Sequence, residues 1–130
     1  KDYGKSNFFD SYKEIKISLE KLVYERYFIE YSWVNGNESY FGLGMIIEHL
    51  NKKKLDKEDF EAIWIRDDLG KTYMPLPYQT ITDFPRDRPL GWKQLFYGKF
   101  PPVDSKAKNI TIYFQYKDHQ FEIKDIPIYQ

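Results

Sequence analysis

Asn109-Ile110-Thr111-Ile112-Tyr113-Phe114-Gln115-Tyr116 decides the fold class. Ile110, Ile112, Phe114 and Tyr116 recur at every second position, which places them together on one face of a pleated strand. The same period appears upstream, where Ile15, Ile17 and Leu19 alternate with Glu14, Lys16, Ser18 and Glu20. It appears again over Arg26–Val34, where Tyr27, Ile29, Tyr31 and Trp33 oppose Glu30 and Ser32. Aromatic and β-branched residues dominate all three runs, as a half-buried sheet surface requires.

Turn chemistry divides the runs. Asn35-Gly36 announces a hairpin that returns through Phe41, Leu43 and Met45. A two-residue turn there would bury Gly42 and Gly44 and expose Leu43 and Met45. A loop one residue longer puts Tyr27, Ile29 and Tyr31 on one face with Phe41, Leu43 and Met45, and turns the glycines outward. A one-residue slip flips every side chain, so burial favours the longer loop.

Further along, Asn51-Lys52-Lys53-Lys54 reads as a solvated charged loop and Asp56–Phe60 as one helical turn capped by Asp56. Ile63–Arg66 is a short strand, Asp67-Asp68-Leu69-Gly70 a turn, and Lys71–Met74 its antiparallel return. Pro75, Pro77, Pro85 and Pro89 make 75–91 a long loop, because proline cannot donate to a ladder. Strand character resumes over Trp92–Phe100 and stops at Pro101-Pro102. After Asn109–Tyr116 comes a tight turn around Asp118-His119 and a last strand, Phe121–Ile126. About seven to nine short strands at regular spacing predict an all-β, antiparallel sandwich with one Pro-rich loop and at most a short helical turn. Residues 1–11 read as a polar lead-in and 12–130 as a single domain.

Composition bounds the setting. The 130 residues carry 20 Lys+Arg and 20 Asp+Glu, for a formal net charge of +0, with no basic excess to mark a nucleic-acid binder. A hydrophobic fraction of 42% argues against disorder. There is no Cys, which excludes disulfides, thiolate nucleophiles and Cys-ligated metals. No apolar run approaches the ~20 residues of a spanning helix. The chain opens Lys1-Asp2-Tyr3 without Met, so a signal or lipoprotein leader is expected to have been removed, and a lipid anchor upstream of Lys1 is left open.

The order of these motifs resembles immunoglobulin-like (telokin-like) sandwich domains of secreted proteins and lipoproteins of Gram-positive bacteria. The resemblance rests on Trp33-Val34-Asn35-Gly36, on the Asp-x-x-Gly-x-x-Tyr hairpin Asp67–Tyr73, on Gly91 before a strand ending Phe100-Pro101-Pro102, and on the alternating strand Ile110–Phe114. It covers about Ile15 to Ile126. The Asn51–Phe60 segment and the 75–91 loop depart from the pattern. The resemblance implies an extracellular or cell-surface module without catalytic residues of its own.

Chemistry-bearing constellations are sparse. No Gly-x-Ser-x-Gly elbow occurs, and neither His49 nor His119 has metal-ligand spacing. Glu48 and His49 are adjacent on a strand and point to opposite faces. His119 is expected at a solvated hairpin tip. Asp67-Asp68 lacks the alternating ligands of a calcium loop. No catalytic residue, cofactor or metal is therefore expected.

The aromatic content, 12 Tyr, 10 Phe and 3 Trp, exceeds what one small core needs. Tyr78, Phe84 and Trp92 flank Arg86, Asp87 and Arg88, so one loop combines planar rings with bidentate hydrogen-bonding groups that suit a carboxylate or an acidic glycan. Against this, Pro-flanked aromatics more often staple a loop down onto its own sheet than stack on a ligand. The expected function is a non-catalytic binding module that meets a protein partner. A carbohydrate-binding domain using the 75–92 loop and a cell-wall glycan is the alternative, and a small hydrolase the third.

Overall fold

The computed structural model describes residues 7–27, 38–76 and 90–128. Period-two segments become strands: β1 (Phe9–Tyr12), β2 (Ile15–Tyr27), β3 (Glu38–His49), β4 (Phe60–Asp67), β5 (Thr72–Tyr73), β6 (Lys93–Phe100), β7 (Asn109–Tyr116) and β8 (His119–Pro127). The only helical piece among the described residues is a 3₁₀ turn, Lys57–Asp59, whose first amides are capped by Asp56 accepting from the Glu58 N–H.

Among the described residues the strands form two four-stranded sheets, β1-β2-β3-β6 and β5-β4-β7-β8, with every neighbour antiparallel. β3 pairs with β6 in one sheet while β4 pairs with β7 in the other. That interlock is the Greek-key connectivity of immunoglobulin-like sandwiches. Between the sheets, Ile17, Leu19, Leu43, Met45 and Phe96 meet Ile63, Ile65, Ile112, Phe114 and Phe121 in one buried cluster. The Phe96 and Phe114 rings stack across the interface with centroids 5.2 Å apart. In β7 the residues Ile110, Ile112, Phe114 and Tyr116 are all buried and their neighbours are half-buried, as the alternation requires.

Among the described residues three ladders carry an extra residue that changes the phase of that alternation, in β2, at Glu61 in β4 and in β8. In β2, Leu19 pairs with Met45 and Lys21 with Gly44, so Glu20 is an extra residue in the ladder. Ile17 and Leu19 face inward before the bulge and Leu22 after it. The loss of period at Glu20–Lys21 suggests two separate strands in the sequence, and the structure shows one. The hairpin register is corrected with it. Tyr27 pairs with Glu38, and Leu22 rather than Ile29 stands opposite Leu43, because the residues just after the bulge already occupy those places. The expected facing of β3 holds: Phe41, Leu43 and Met45 are core, and a Cβ on Gly44 would meet the Lys21 stem on the outer face. Ile29, Tyr31, Trp33 and the Asn35-Gly36 turn lie outside the described residues. In β8, Lys124 and Asp125 together oppose Thr111, and Asp125 takes a φ of 55°.

The last hairpin also differs from expectation. Its two-residue turn is Lys117-Asp118, and His119 pairs with Tyr116 inside the ladder instead of sitting at a solvated tip. The period alone cannot say where a strand of polar residues begins.

The Asp67–Tyr73 hairpin shows what its motif is for. Asp67 is 5% exposed; its Oδ1 accepts from the Leu69 and Lys71 N–H groups, each at 2.9 Å, and its Oδ2 from the Tyr73 hydroxyl at 2.7 Å. Gly70 supplies the φ of +90° that closes the turn. The Tyr73 oxygen in turn accepts from the Asp104 N–H, so one network pins the β4–β5 hairpin to the loop before β7. Burial alone would raise the Asp67 carboxyl, but the Tyr73 hydroxyl, the two amides and the Lys71 charge hold it below its usual value. Burial, the accepting Asp67 carboxylate and the charge of Asp104 push the Tyr73 hydroxyl up to about 12, against the Asp104 amide.

Candidate functional site

Three connections from distant parts of the chain converge at one end of the sandwich. They are the β1–β2 turn Lys13-Glu14, the segment following β3, and the β7–β8 turn Lys117-Asp118. Backbone bonds fasten them together: the Leu50 N–H donates to Glu14 O and the Lys117 N–H to Asp59 O, both at 2.7 Å. Between them lies a cavity of about 510 Å³ that opens to solvent. That size is in the range of small-ligand sites, roughly 300–1,000 Å³.

One wall is aromatic. The Tyr12 ring, 43% exposed, lies flat against His119 with centroids 3.7 Å apart and planes 7° apart. His119 meets Phe121 edge-on at 4.7 Å, so the platform is anchored in the core. β1 itself is strapped to the opposite sheet, because Asp10 Oδ2 accepts from the Glu122 N–H at 2.9 Å. Behind the wall stands Tyr116, whose hydroxyl is raised above its ordinary value by burial and by the charge of Asp59, against a backbone bond from Asp56.

A second wall is polar. His49, only 8% exposed, accepts the Asn51 N–H at its Nδ1, 3.1 Å away. That bond places the ring proton on Nε2, which faces Glu14 Oε2 at 3.1 Å. Asn51 Nδ2 donates to the other oxygen, Glu14 Oε1, at 3.1 Å. The Glu14 carboxylate is thus held on both oxygens. Neither ring nitrogen of His49 is left free to take a proton from a ligand in this arrangement. Among the described residues no three His, Asp or Glu side chains converge as metal ligands would.

The rim carries Lys13, Lys53, Lys54 and Lys117, all exposed. Lys13 and Lys117 have φ of 53° and 55°, at the first position of two-residue turns where glycine is the usual residue.

Of the loop residues singled out in the sequence, Tyr78, Phe84, Arg86, Asp87 and Arg88 lie outside the described residues. Trp92 is 37% exposed, and the Lys52 Nζ stands 5.6 Å from its ring centre. Its carbonyl accepts the His49 N–H at 2.7 Å, which sets Trp92 beside the cavity end of the molecule. Sequence reasoning excluded Glu48 as a partner for His49 and missed Glu14, which the Ile15–His49 pairing brings alongside. The available signal was the pair of short polar breaks, Lys13-Glu14 and Lys117-Asp118, between alternating runs.

A smaller hollow of about 180 Å³ lies on the outer face of the β2-β3-β6 surface, between Tyr40 and Tyr97 over Gly42. The stem of Lys21 covers Gly44 there, and its Nζ is 5.6 Å from the Tyr97 ring centre.

No protein-family model matches this chain, and neither a curated protein nor a solved structure does.

Proposed function

We propose that the chain is a non-catalytic, extracellular immunoglobulin-like module of the bacterial cell surface that binds a protein partner through the end of the sandwich where the three turns meet. One observation carries the reading: the 510 Å³ cavity is built from strand ends, two two-residue turns and the connection between β3 and β4, which backbone bonds fasten to both turns, so its opening is the natural contact surface. In sandwiches of this kind binding surfaces are commonly made by the loops clustered at one end. Both nitrogens of His49 are engaged, Nδ1 by the Asn51 N–H and Nε2 by Glu14, which suits a recognition surface better than a proton-transfer site. The resemblance of the turn motifs to domains of Gram-positive secreted proteins and lipoproteins supports the extracellular setting. Among the described residues no helix is long and apolar enough to cross a membrane.

The alternative is a carbohydrate-binding domain using the 75–92 loop. The exposed ring of Trp92 beside His49 favours it, since planar rings can stack on sugar faces while neighbouring polar groups hold hydroxyls.

Co-sedimentation of the domain with bacterial envelope fractions tests both. Lys53→Glu with Lys117→Glu is expected to abolish co-sedimentation while Arg86→Ala with Arg88→Ala preserves it. The opposite pattern moves the contact to the 75–92 loop. No retention of the parent domain on any envelope fraction, before or after protease treatment of that fraction, overturns the module reading.

A further inference from the structure

The end cavity shows a local charge that the chain as a whole does not have. The protein's formal net charge is +0, yet four lysines rim this one opening. Among the described residues the ion pairs are His49–Glu14 and Lys124–Glu122, so none of the four rim ammonium groups is neutralised by a carboxylate at contact distance. The carboxylates that share the cavity are Glu14, Asp59 and Asp118. Glu14 is hydrogen-bonded on both oxygens by His49 and Asn51 but keeps its charge, so four lysines stand against three carboxylates and the cavity carries a formal excess of one positive charge.

The backbone under two of these lysines points the same way. A left-handed φ is costly for a residue with a Cβ and free of that cost for glycine. Lys13 and Lys117 each adopt it, at equivalent positions of two turns that are far apart in sequence and face one cavity. Glycine would serve the turns better but carries no charge.

We propose that the end cavity is an anion site that takes a carboxylate- or phosphate-bearing group of about sugar size, with Lys13, Lys53, Lys54 and Lys117 supplying the charge and the Tyr12–His119 platform the shape. This rests on reading the cavity end as the binding end, and it narrows what that end recognises. Lysine ammonium groups act as point charges, so the site discriminates by charge more than by the planar geometry of the anion.

Isothermal titration of the intact chain with glucose 6-phosphate, glucuronate and glucose tests it. Binding of either anion, weakened at least about tenfold between low and physiological salt and absent for glucose, is the expected result, and the tighter anion names the group. The Lys13→Gly, Lys117→Gly double variant is expected to melt at the same or a higher temperature than the parent and to bind the anion at least about tenfold more weakly. A turn role alone would leave affinity unchanged. No binding of either anion, equal binding of glucose, or unaltered affinity in the double variant overturns the proposal. Envelope co-sedimentation that persists when the anions fail to bind leaves the module reading standing and removes only this one. Anion binding without envelope co-sedimentation does the reverse.

Discussion

Asp67 and Tyr73 show how much one pair of side chains decides in this fold. The carboxylate accepts three hydrogen bonds, two from its own turn and one from the Tyr73 hydroxyl, while that hydroxyl accepts the Asp104 amide. Tyr73→Phe removes one donor and one acceptor from a buried network and leaves the Asp104 amide without its partner, an expected loss of about 1–3 kcal/mol in chemical denaturation. The pH dependence has a definite sign at each end. The Asp67 value is lowered on folding, so its contribution is present above the unfolded value near 3.9 and is lost as pH falls through the folded one. The Tyr73 value is raised to about 12, so its contribution is full below about 10 and is lost as pH rises from there toward 12. The parent is therefore expected to lose its advantage over Tyr73→Phe between pH 10 and 12. A constant difference in urea midpoint across that range would contradict the assignment.

At the scale of the element, β2 carries the most informative irregularity. Its bulge at Glu20 lets Leu19 and Leu22 both face the core although they are three positions apart. Deleting Glu20 removes the extra residue and puts Leu19 and Leu22 two positions apart, so strict alternation keeps both facing the core opposite Met45 and Leu43. Each is at most 1% exposed in the parent, and the deletion is expected to keep that burial and a cooperative melting transition within a few degrees of the parent's. Loss of the cooperative transition in the deletion variant would show that the bulge itself is required. The sequence pattern was legible before the bulge, over Ile15–Leu19, and across the ladder in β3, but not through it. A bulge is a property of two paired strands, and one strand read alone looks merely interrupted there. The same reason explains β8, where Phe121 and Ile123 were placed correctly and the residues around Asp125 change phase against β7.

For the whole molecule, stability resides in the shared interior of the two sheets. Ile112 is fully buried, pairs with Ile65 on one side and Ile123 on the other, and belongs to the single core cluster. Ile112→Asp would bury a carboxylate with no partner, and with total stability of about 5–15 kcal/mol for a domain this size the variant is expected to be unfolded by circular dichroism at neutral pH. A native spectrum would mean that the interior is wet. The functional end depends on the same global arrangement. Glu14, Lys53 and Lys117 come from three separate connections, and only the Greek-key interlock brings those connections to one end of the sandwich.

The amino-acid pattern by itself determined the strand content, the inward face of β3 and β7, the Asp56-capped turn and the Asp67–Gly70 hairpin. These follow from side-chain period and local turn chemistry, which act over a few neighbouring residues. The tertiary structure alone decided the β2–β3 register, the partner of His49 and the lysine-rimmed cavity. Those depend on which strands and strand ends meet, and pairing between residues far apart in the chain leaves no local period to read.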